Sequence, residues 1–297
     1  MHIDKLKYFI DLVNCKNFTE TAKLNFVSQT TISQQIASLE STYNMKLIDR
    51  DKKPIEPTPA GWLFYNEAII LWKQYKHLSE KMIDFQANHS QLLSVAYATL
   101  TDIQSLLPFI PSFKQAHPTI KLDFQKISLK DISTYLHKGI YDIAIAVDSE
   151  FKATEEIDTF TLYQGKYSAA VSKHHPLFNH QTITKEALYQ YPLVMLDSNE
   201  IGNSYQLMIE HALKDGYQPK IKQAVTDVES ELVQIVTENL IGFFPDNYQL
   251  NYSEEEIRLI PLEDSYHTFT IEMGYVKHNS NPALQTFLHH IHDWFSQ

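Results

Sequence analysis

The sequence is poor in the residues that several kinds of chemistry require. Only one of its 297 residues is a cysteine, Cys15, which excludes an internal disulfide framework and any multi-cysteine zinc or iron–sulfur site. Cys15 falls within helical periodicity, where a small apolar core residue is its plain role. Glycine occurs seven times, too rarely for phosphate-cradling loops, and neither a G-x-S-x-G elbow nor an H-E-x-x-H pair is present. No redox chemistry, no cofactor and no bound metal are therefore expected. Arginine occurs only as Arg50 and Arg258. There is no run of 18 apolar residues, and Met1 to Phe9 carries charges where a signal peptide needs an apolar stretch. No membrane partner and a cytoplasmic location are expected.

What is present is enough for well-packed domains. An apolar share of 43% with 17 Tyr and 16 Phe rules out a disordered chain, and the length suggests two or three modules of roughly 100 to 150 residues. The net charge of −11 is unevenly spread. Residues 1 to 90 are close to neutral at +1 and the remainder carries −12, so the acidity belongs to the larger C-terminal part.

Leu6, Phe9, Ile10 and Val13 have the spacing of one buried helical face. A short second helix from Phe18, with Ala22 and Leu24 or Phe26 inward, and a turn lead to Ser28. Ser28 suits the N-cap of a third helix, its hydroxyl accepting the Thr31 N–H, with Val27 and Ile32 as a hydrophobic staple. Ile32, Ile36, Leu39 and Tyr43 share the inner face; Thr30, Gln34 and Ser41 lie opposite, flanked by Gln29 and Ser33. This describes a helix-turn-helix over Phe18 to Ala37, whose second helix enters the DNA major groove. Periodicity alone also fits an ordinary three-helix bundle with a solvated face. A short strand from Lys46 to Arg50, a charged turn from Asp51 to Lys53 and a proline-limited return from Pro54 to Pro57 add a wing. Lys23, Arg50, Lys52 and Lys53, with Lys5 and Lys16, are the candidate phosphate contacts.

From Thr58, with Pro59 at the first helical position, one long helix is expected. Phe64, Ala68, Leu71, Tyr75, Leu78, Met82 and Phe85 form an a/d seam for pairing with a second copy. Burial of that seam against the chain's own C-terminal part is the other possibility. Beyond Gln91 the pattern becomes βαβαβ: strand Leu92 to Ala98, helix Asp102 to Ala116, strand Ile120 to Ile127, helix Leu129 to Lys138 and strand Tyr141 to Val147. This implies a parallel sheet covered by helices. A second series follows: strand Tyr167 to Ser172, a helix near Lys185 to Tyr189, strand Leu193 to Leu196, helix Ser204 to Asp215, strand Lys220 to Val225, helix Val228 to Glu238 and strand Ile241 to Phe244. Thr268 to Val276 and the helix Pro282 to Phe295 then return to the first lobe. Two such lobes enclose a cleft.

The stretches Asn17 to Ala22, Val27 to Ile36, Leu39-Glu40, Leu47 to Arg50 and Thr58 to Gly61 together resemble the winged-helix signature of the LysR-type transcriptional regulators. Leu106-Leu107-Pro108, Gly139 to Ile145, His174 to Leu177 and Gly242 to Pro245 resemble that family's effector domain, so the likeness covers nearly the whole chain. The family commonly has Pro where this chain has Thr30, Arg at Gln34 and Leu at Asn25. The fold so implied is α/β: a winged helix-turn-helix over 1–58, a dimerisation helix over 59–89, and a two-lobe, periplasmic-binding-like effector domain over 90–297. Lobe I would hold 90–161 and 269–297, and lobe II 162–268. The function so implied is a ligand-responsive regulator, a homodimer or homotetramer on double-stranded DNA, with a small-molecule effector and with RNA polymerase as a further candidate partner.

No charged residue lies between Lys23 and Glu40, so base reading would fall to the amides and hydroxyls of Ser28, Gln29, Thr30, Thr31, Ser33 and Gln34. Gln pairs with adenine N6/N7 and a Thr methyl packs on thymine, which predicts an A·T-rich inverted repeat. The resemblance places Thr101 where the family often has an effector-contacting hydroxyl. A helix start there is also an anion site, though Thr101 as a mere helix cap is an equal alternative. Thr99, Ser128, Ser198, Asn203 and Phe244 complete the candidate effector contacts; Leu129 stands where a second family contact would fall. The expected mouth has no arginine, so the effector either relies on N–H groups and hydroxyls or is not strongly anionic. His289, His290 and His292 read as a solvated helix end rather than metal ligands, and His174-His175 as a structural loop. The rival function is a small-molecule binding protein or enzyme on the two-lobe domain, with the N-terminal helices as an oligomerisation module.

Overall fold

The computed structural model describes residues 2–88, 91–152, 155–250 and 253–295, with the side chains of all these except 80, 81 and 84–88. The chain forms two compact units, Met1–Asn88 and His89–Gln297.

In the first unit α1 (Ile3–Cys15), α2 (Phe18–Leu24) and α3 (Gln29–Tyr43) surround a core of Phe9, Leu12, Val13, Ala22, Ile32, Ile36 and Leu39. Leu12 takes the inner place expected of Ile10, which is half-buried. The Asn17 side chain caps α2 by accepting the Thr19 and Glu20 N–H groups, and Ser28 Oγ caps α3 by accepting the Thr31 N–H at 3.0 Å. Two expected core residues are not in the core. Leu24 and Phe26 are exposed, Phe26 at 95% and at φ +54°, because the turn between α2 and α3 needs a left-handed residue and swings that side chain outward. Tyr43 is also exposed and leans on the Phe64 ring, 5.5 Å between centroids.

The wing is a two-residue ladder, β1 (Ile48–Asp49) against β2 (Glu56–Pro57), with Ile48 opposite Pro57. It is fastened to α3 by Glu40, whose buried carboxylate accepts the Leu47 N–H at 2.9 Å and pairs with Arg50 at 3.2 Å. The 30-residue α4 (Pro59–Asn88) follows, Thr58 Oγ1 accepting the Gly61 N–H at 3.0 Å. Gly61 is required by close approach, since a β-carbon there would fall 1.9 Å from the Leu47 carbonyl oxygen.

The second unit begins with β3 (Gln91–Tyr97), α5 (Leu100–Ile103), α6 (Phe109–Ala116), β4 (Ile120–Lys126), α7 (Ile132–His137) and β5 (Ile143–Val147). The single helix expected over 102–116 is thus two. Pro108 has no N–H to donate and disfavours helical backbone in the residue before it, which breaks the helix between Ile103 and Phe109. Next come β6 (Ile157–Ser172), β7 (Ile183–Thr184), α8 (Lys185–Leu188), β8 (Leu193–Leu196), α9 (Ser198–Ile201), α10 (Ser204–Lys214), β9 (Ile221–Val225), α11 (Val228–Glu238), β10 (Gly242–Pro245), β11 (Ile257–Glu263), β12 (Thr268–Val276) and α12 (Pro282–Phe295).

The main sheet has the order β4-β3-β5-β12-β6-β11-β7, with β10 also on β6. Only β3–β4, β3–β5 and β7–β11 pair in parallel; β12 and β6 run antiparallel to their neighbours, so the sheet is mixed rather than parallel. The 16-residue β6 joins the two lobes. Its Ile157 to Lys166 pair with β12, and its Tyr167 to Ser172 pair with β10 and β11. Strands β8 and β9 form a separate parallel pair beside them. The first lobe packs around Phe109, Phe113 and Phe287. The second has two cores, one around Leu188 and Leu193 and one around Ile235 and Phe244.

Candidate nucleic-acid interface and effector cleft

The outward face of α3 carries Gln29, Thr30 and Gln34 in full exposure, with Ser33 half-buried beside them. These four side chains make no hydrogen bond among the described residues, so their amides and hydroxyls stay available to base edges. Ser28 and Thr31 are less available. Their hydroxyls bond to each other at 2.9 Å in addition to the cap. The candidate phosphate contacts divide in the same way. Lys23 pairs with Glu20 at 2.8 Å, Lys52 with Glu56 at 2.6 Å and Lys5 with Ser38 Oγ at 2.8 Å, while Arg50 is held by Glu40 and lies over the Phe18 ring. The Glu56 carboxylate also holds the Lys52 ammonium above its ordinary pKa. Lys16 and Lys53 have no ion pair among the described residues.

The seam on α4 also divides. Ala68 is buried, and Phe64 meets the Phe9 ring edge-on at 5.0 Å, so both belong to the unit's own core. Leu71, Tyr75, Leu78 and Met82 remain exposed; the Phe85 side chain lies outside the described residues.

Between the lobes lies a cleft with an outer part of about 970 Å³ and an inner chamber of about 170 Å³. Thr101 lines both and Ser128 the outer part, and neither hydroxyl has a protein partner among the described residues. Thr101 does not cap α5. Thr99 does, in a capping box: its Oγ1 accepts the Asp102 N–H at 3.2 Å, and Asp102 Oδ2 accepts the Thr99 N–H at 2.8 Å. The anion site expected at this helix start is thereby occupied by the protein's own carboxylate. Phe244 is buried in the wall of the inner chamber.

Ser198 and Asn203 do not line the cleft. Ser198 is exposed at the start of α9, whose cap is Asp197. Asn203 instead binds the other lobe: its N–H and its Nδ2 donate to Glu150 at 3.0 and 3.2 Å, and next to it Ser204 Oγ meets Ser149 Oγ at 3.0 Å. This latch ties the end of β5 to the start of α10.

Sequence reasoning missed the two acids that set the character of the inner chamber. Asp102 and Glu231 both line it, and burial pushes their carboxyls up to about 6 and about 8. An acid at an otherwise inward-facing helical position was the available signal at Glu231. Tyr167, Met195, Met208 and Tyr248 were likewise missed. Outside the cleft, His175 Nδ1 accepts the Leu177 N–H and so serves its loop. His289 is exposed, but His290 is not solvated as expected; it packs against the Phe109, Phe113 and His117 rings. No metal-binding cluster occurs among the described residues, and none of their helices is long and apolar enough to cross a membrane.

Residues 3–62 match the model of the bacterial regulatory helix-turn-helix proteins of the lysR family, and residues 86–296 match that of the LysR substrate binding domain. The chain belongs to the LysR family. Among its relatives are the Hca operon transcriptional activator HcaR of Escherichia coli, 22% identical over 97% of this chain and 96% of the relative, and the HTH-type transcriptional regulator AlsR of Bacillus subtilis, 24% identical over 97% and 95%. The fold is that of CbnR, a LysR family transcriptional regulator (TM-score 0.73, 20% identity, 99% of both chains), which has also been solved complexed with its target DNA (TM-score 0.72). As a LysR member the chain is a ligand-responsive, DNA-binding transcriptional regulator and not an enzyme. The helix-turn-helix match also removes the rival view of the N-terminal helices as an oligomerisation module alone.

Proposed function

We propose that this LysR-type regulator acts as a homodimer or homotetramer that reads an A·T-rich inverted repeat through α3 and changes its DNA complex when an effector enters the interlobe cleft. The observation that carries this reading is the outward face of α3, which is uncharged and has uncommitted amides and hydroxyls at Gln29, Thr30 and Gln34. Glutamine amides suit adenine and a threonine methyl suits thymine. The exposed Leu71, Tyr75, Leu78 and Met82 supply the seam by which two α4 helices pair, so that two copies of α3 meet successive half-sites. Residues 1–58 then form the reading domain, 59–89 the pairing helix and 90–297 the effector domain, its lobes divided as 90–161 with 269–297 and 162–268. Thr101, Ser128 and Phe244 touch the effector, and Thr99 shapes the same wall. The protein works in the cytoplasm, with RNA polymerase as the partner through which bound DNA becomes a transcriptional output.

The test is mobility shift of the full-length protein on its own upstream DNA at two salt concentrations, beside Gln34→Ala. Wild type is expected to bind specifically, and the variant to lose about tenfold or more of its preference over scrambled DNA. Because α3 has no cation, the salt dependence is expected to be shallower than that of about ten phosphate contacts per dimer. A dominant G·C pair beneath α3, or no specific site in a genome-wide selection, would refute the reading.

A further inference from the structure

The identity of the effector is open, but the inner chamber restricts its chemistry. Most of its wall is apolar: Val147, Met195, Ile201, Met208, Val228 and Phe244. Among the described residues, the carboxyls that line it are those of Asp102 on α5 and Glu231 on α11, and no Lys or Arg does. Asp102 accepts the Thr99 N–H at 2.8 Å and also meets the Thr99 hydroxyl, so its carboxylate is held at the start of α5. Glu231 accepts the Phe243 N–H and no side-chain donor. The outer part of the cleft repeats the imbalance, with Glu200, Asp227 and Glu229 against Lys126 among the described residues. An acidic mouth raises the local concentration of cations and repels anions. A carboxylate entering the chamber would lose its water without meeting a Lys or Arg side chain among the described residues, which disfavours it. An ammonium group would meet two carboxyls, with the Tyr167, Phe243, Phe244 and Tyr248 rings lining the same space.

From this geometry we infer that the effector is a compact apolar molecule bearing one ammonium group, which Glu231 and Asp102 receive in the inner chamber. The inference rests on the reading of the cleft as the effector site. Besides these two acids, the titratable groups of the chamber are Tyr167 on β6 and Tyr248 after β10, both raised by burial and so neutral. Burial raises the Glu231 carboxyl to about 8, so at pH 7 it holds a proton, which passes to solvent as the ammonium arrives.

The experiment is calorimetric titration of the full-length protein with three probes of one shape: 2-phenylethylamine, 2-phenylethanol and phenylacetate. The amine is expected to bind at least tenfold more tightly than the other two. At pH 7 its binding heat should change between buffers of different ionisation enthalpy in the sense of proton release, a wild-type measurement that needs no variant. Glu231→Gln should weaken the amine at least tenfold and narrow the gap to the alcohol; a melting curve verifies that the variant is folded. Equal or tighter binding of phenylacetate or the alcohol, no binding of the amine, or an amine affinity insensitive to Glu231→Gln would each overturn the inference. Mobility shift without any probe separates the two readings. DNA binding with no amine binding removes the ammonium effector and leaves the regulator standing, whereas amine binding with no specific DNA site does the reverse.

Discussion

On α3, Gln29, Thr30, Ser33 and Gln34 are neighbours in the chain, neutral and turned to solvent. In the inner chamber Thr101, Tyr167, Glu231 and Phe244 come from four separate elements, and the carboxyl among them is titrated out of its usual range by burial. A surface reader needs only that one helix present its side chains, so its chemistry is local. A cleft is assembled by sheet pairing across the whole unit, and its chemistry depends on which side chains that pairing buries together.

The contrast can be broken first at the cores. Ile36 is fully buried behind the outer face of α3, so Ile36→Ala is expected to cost about 2–5 kcal/mol in urea unfolding of the N-terminal unit. Specific DNA binding should fall with it. A loss below about 1 kcal/mol would mean that the face does not depend on this packing.

A second test sharpens the cleft side. The Glu231 carboxyl is raised from its ordinary 4.5 to about 8, so the folded protein keeps a proton that the unfolded chain has already released. Stability from this group is therefore fully present below about pH 4.5 and is lost as pH rises toward about 8. Melting curves of wild type and Glu231→Gln should diverge over that window, the wild type falling relative to the variant by up to about 1.4 kcal/mol per pH unit. His267, whose burial lowers it to about 4, acts in the opposite direction but is common to both proteins and cancels in the difference. Parallel curves would show Glu231 to be hydrated.

Smaller effects belong to the surface. Phe26→Gly should stabilise the N-terminal unit by about 1 kcal/mol in the same urea assay, because φ +54° is strained for Phe and free for glycine. No gain would mean that the turn relaxes without strain. Lys53 has no ion pair among the described residues. Lys53→Ala should therefore reduce the slope of log affinity against log salt by about 0.9 per protomer if it contacts phosphate. An unchanged slope would place the wing away from the backbone.

The helices and caps of the first unit were legible because each follows from a few adjacent residues. Ser28 and Thr58 cap as their types prefer, and Thr58-Pro59-Ala60-Gly61 both starts α4 and allows its approach to Leu47. Strands β8 and β12 and helices α11 and α12 lie where periodicity puts them. The errors arose where a distant contact overrode a local preference. Asn203 has the composition of a free turn residue, yet it reaches across to Glu150. Thr101 stands at a helix start, but the cap belongs to Thr99 because Asp102 completes its box.

By itself, then, the sequence determined the winged helix-turn-helix, the uncharged outer face of α3, the long fourth helix and the alternation of strands and helices, all set by interactions within a few residues of one another. Only the tertiary structure decided that β6 joins two lobes, that Asn203 latches them, and that Asp102 and Glu231 line one chamber. Those outcomes depend on burial, and burial depends on residues far apart in the chain.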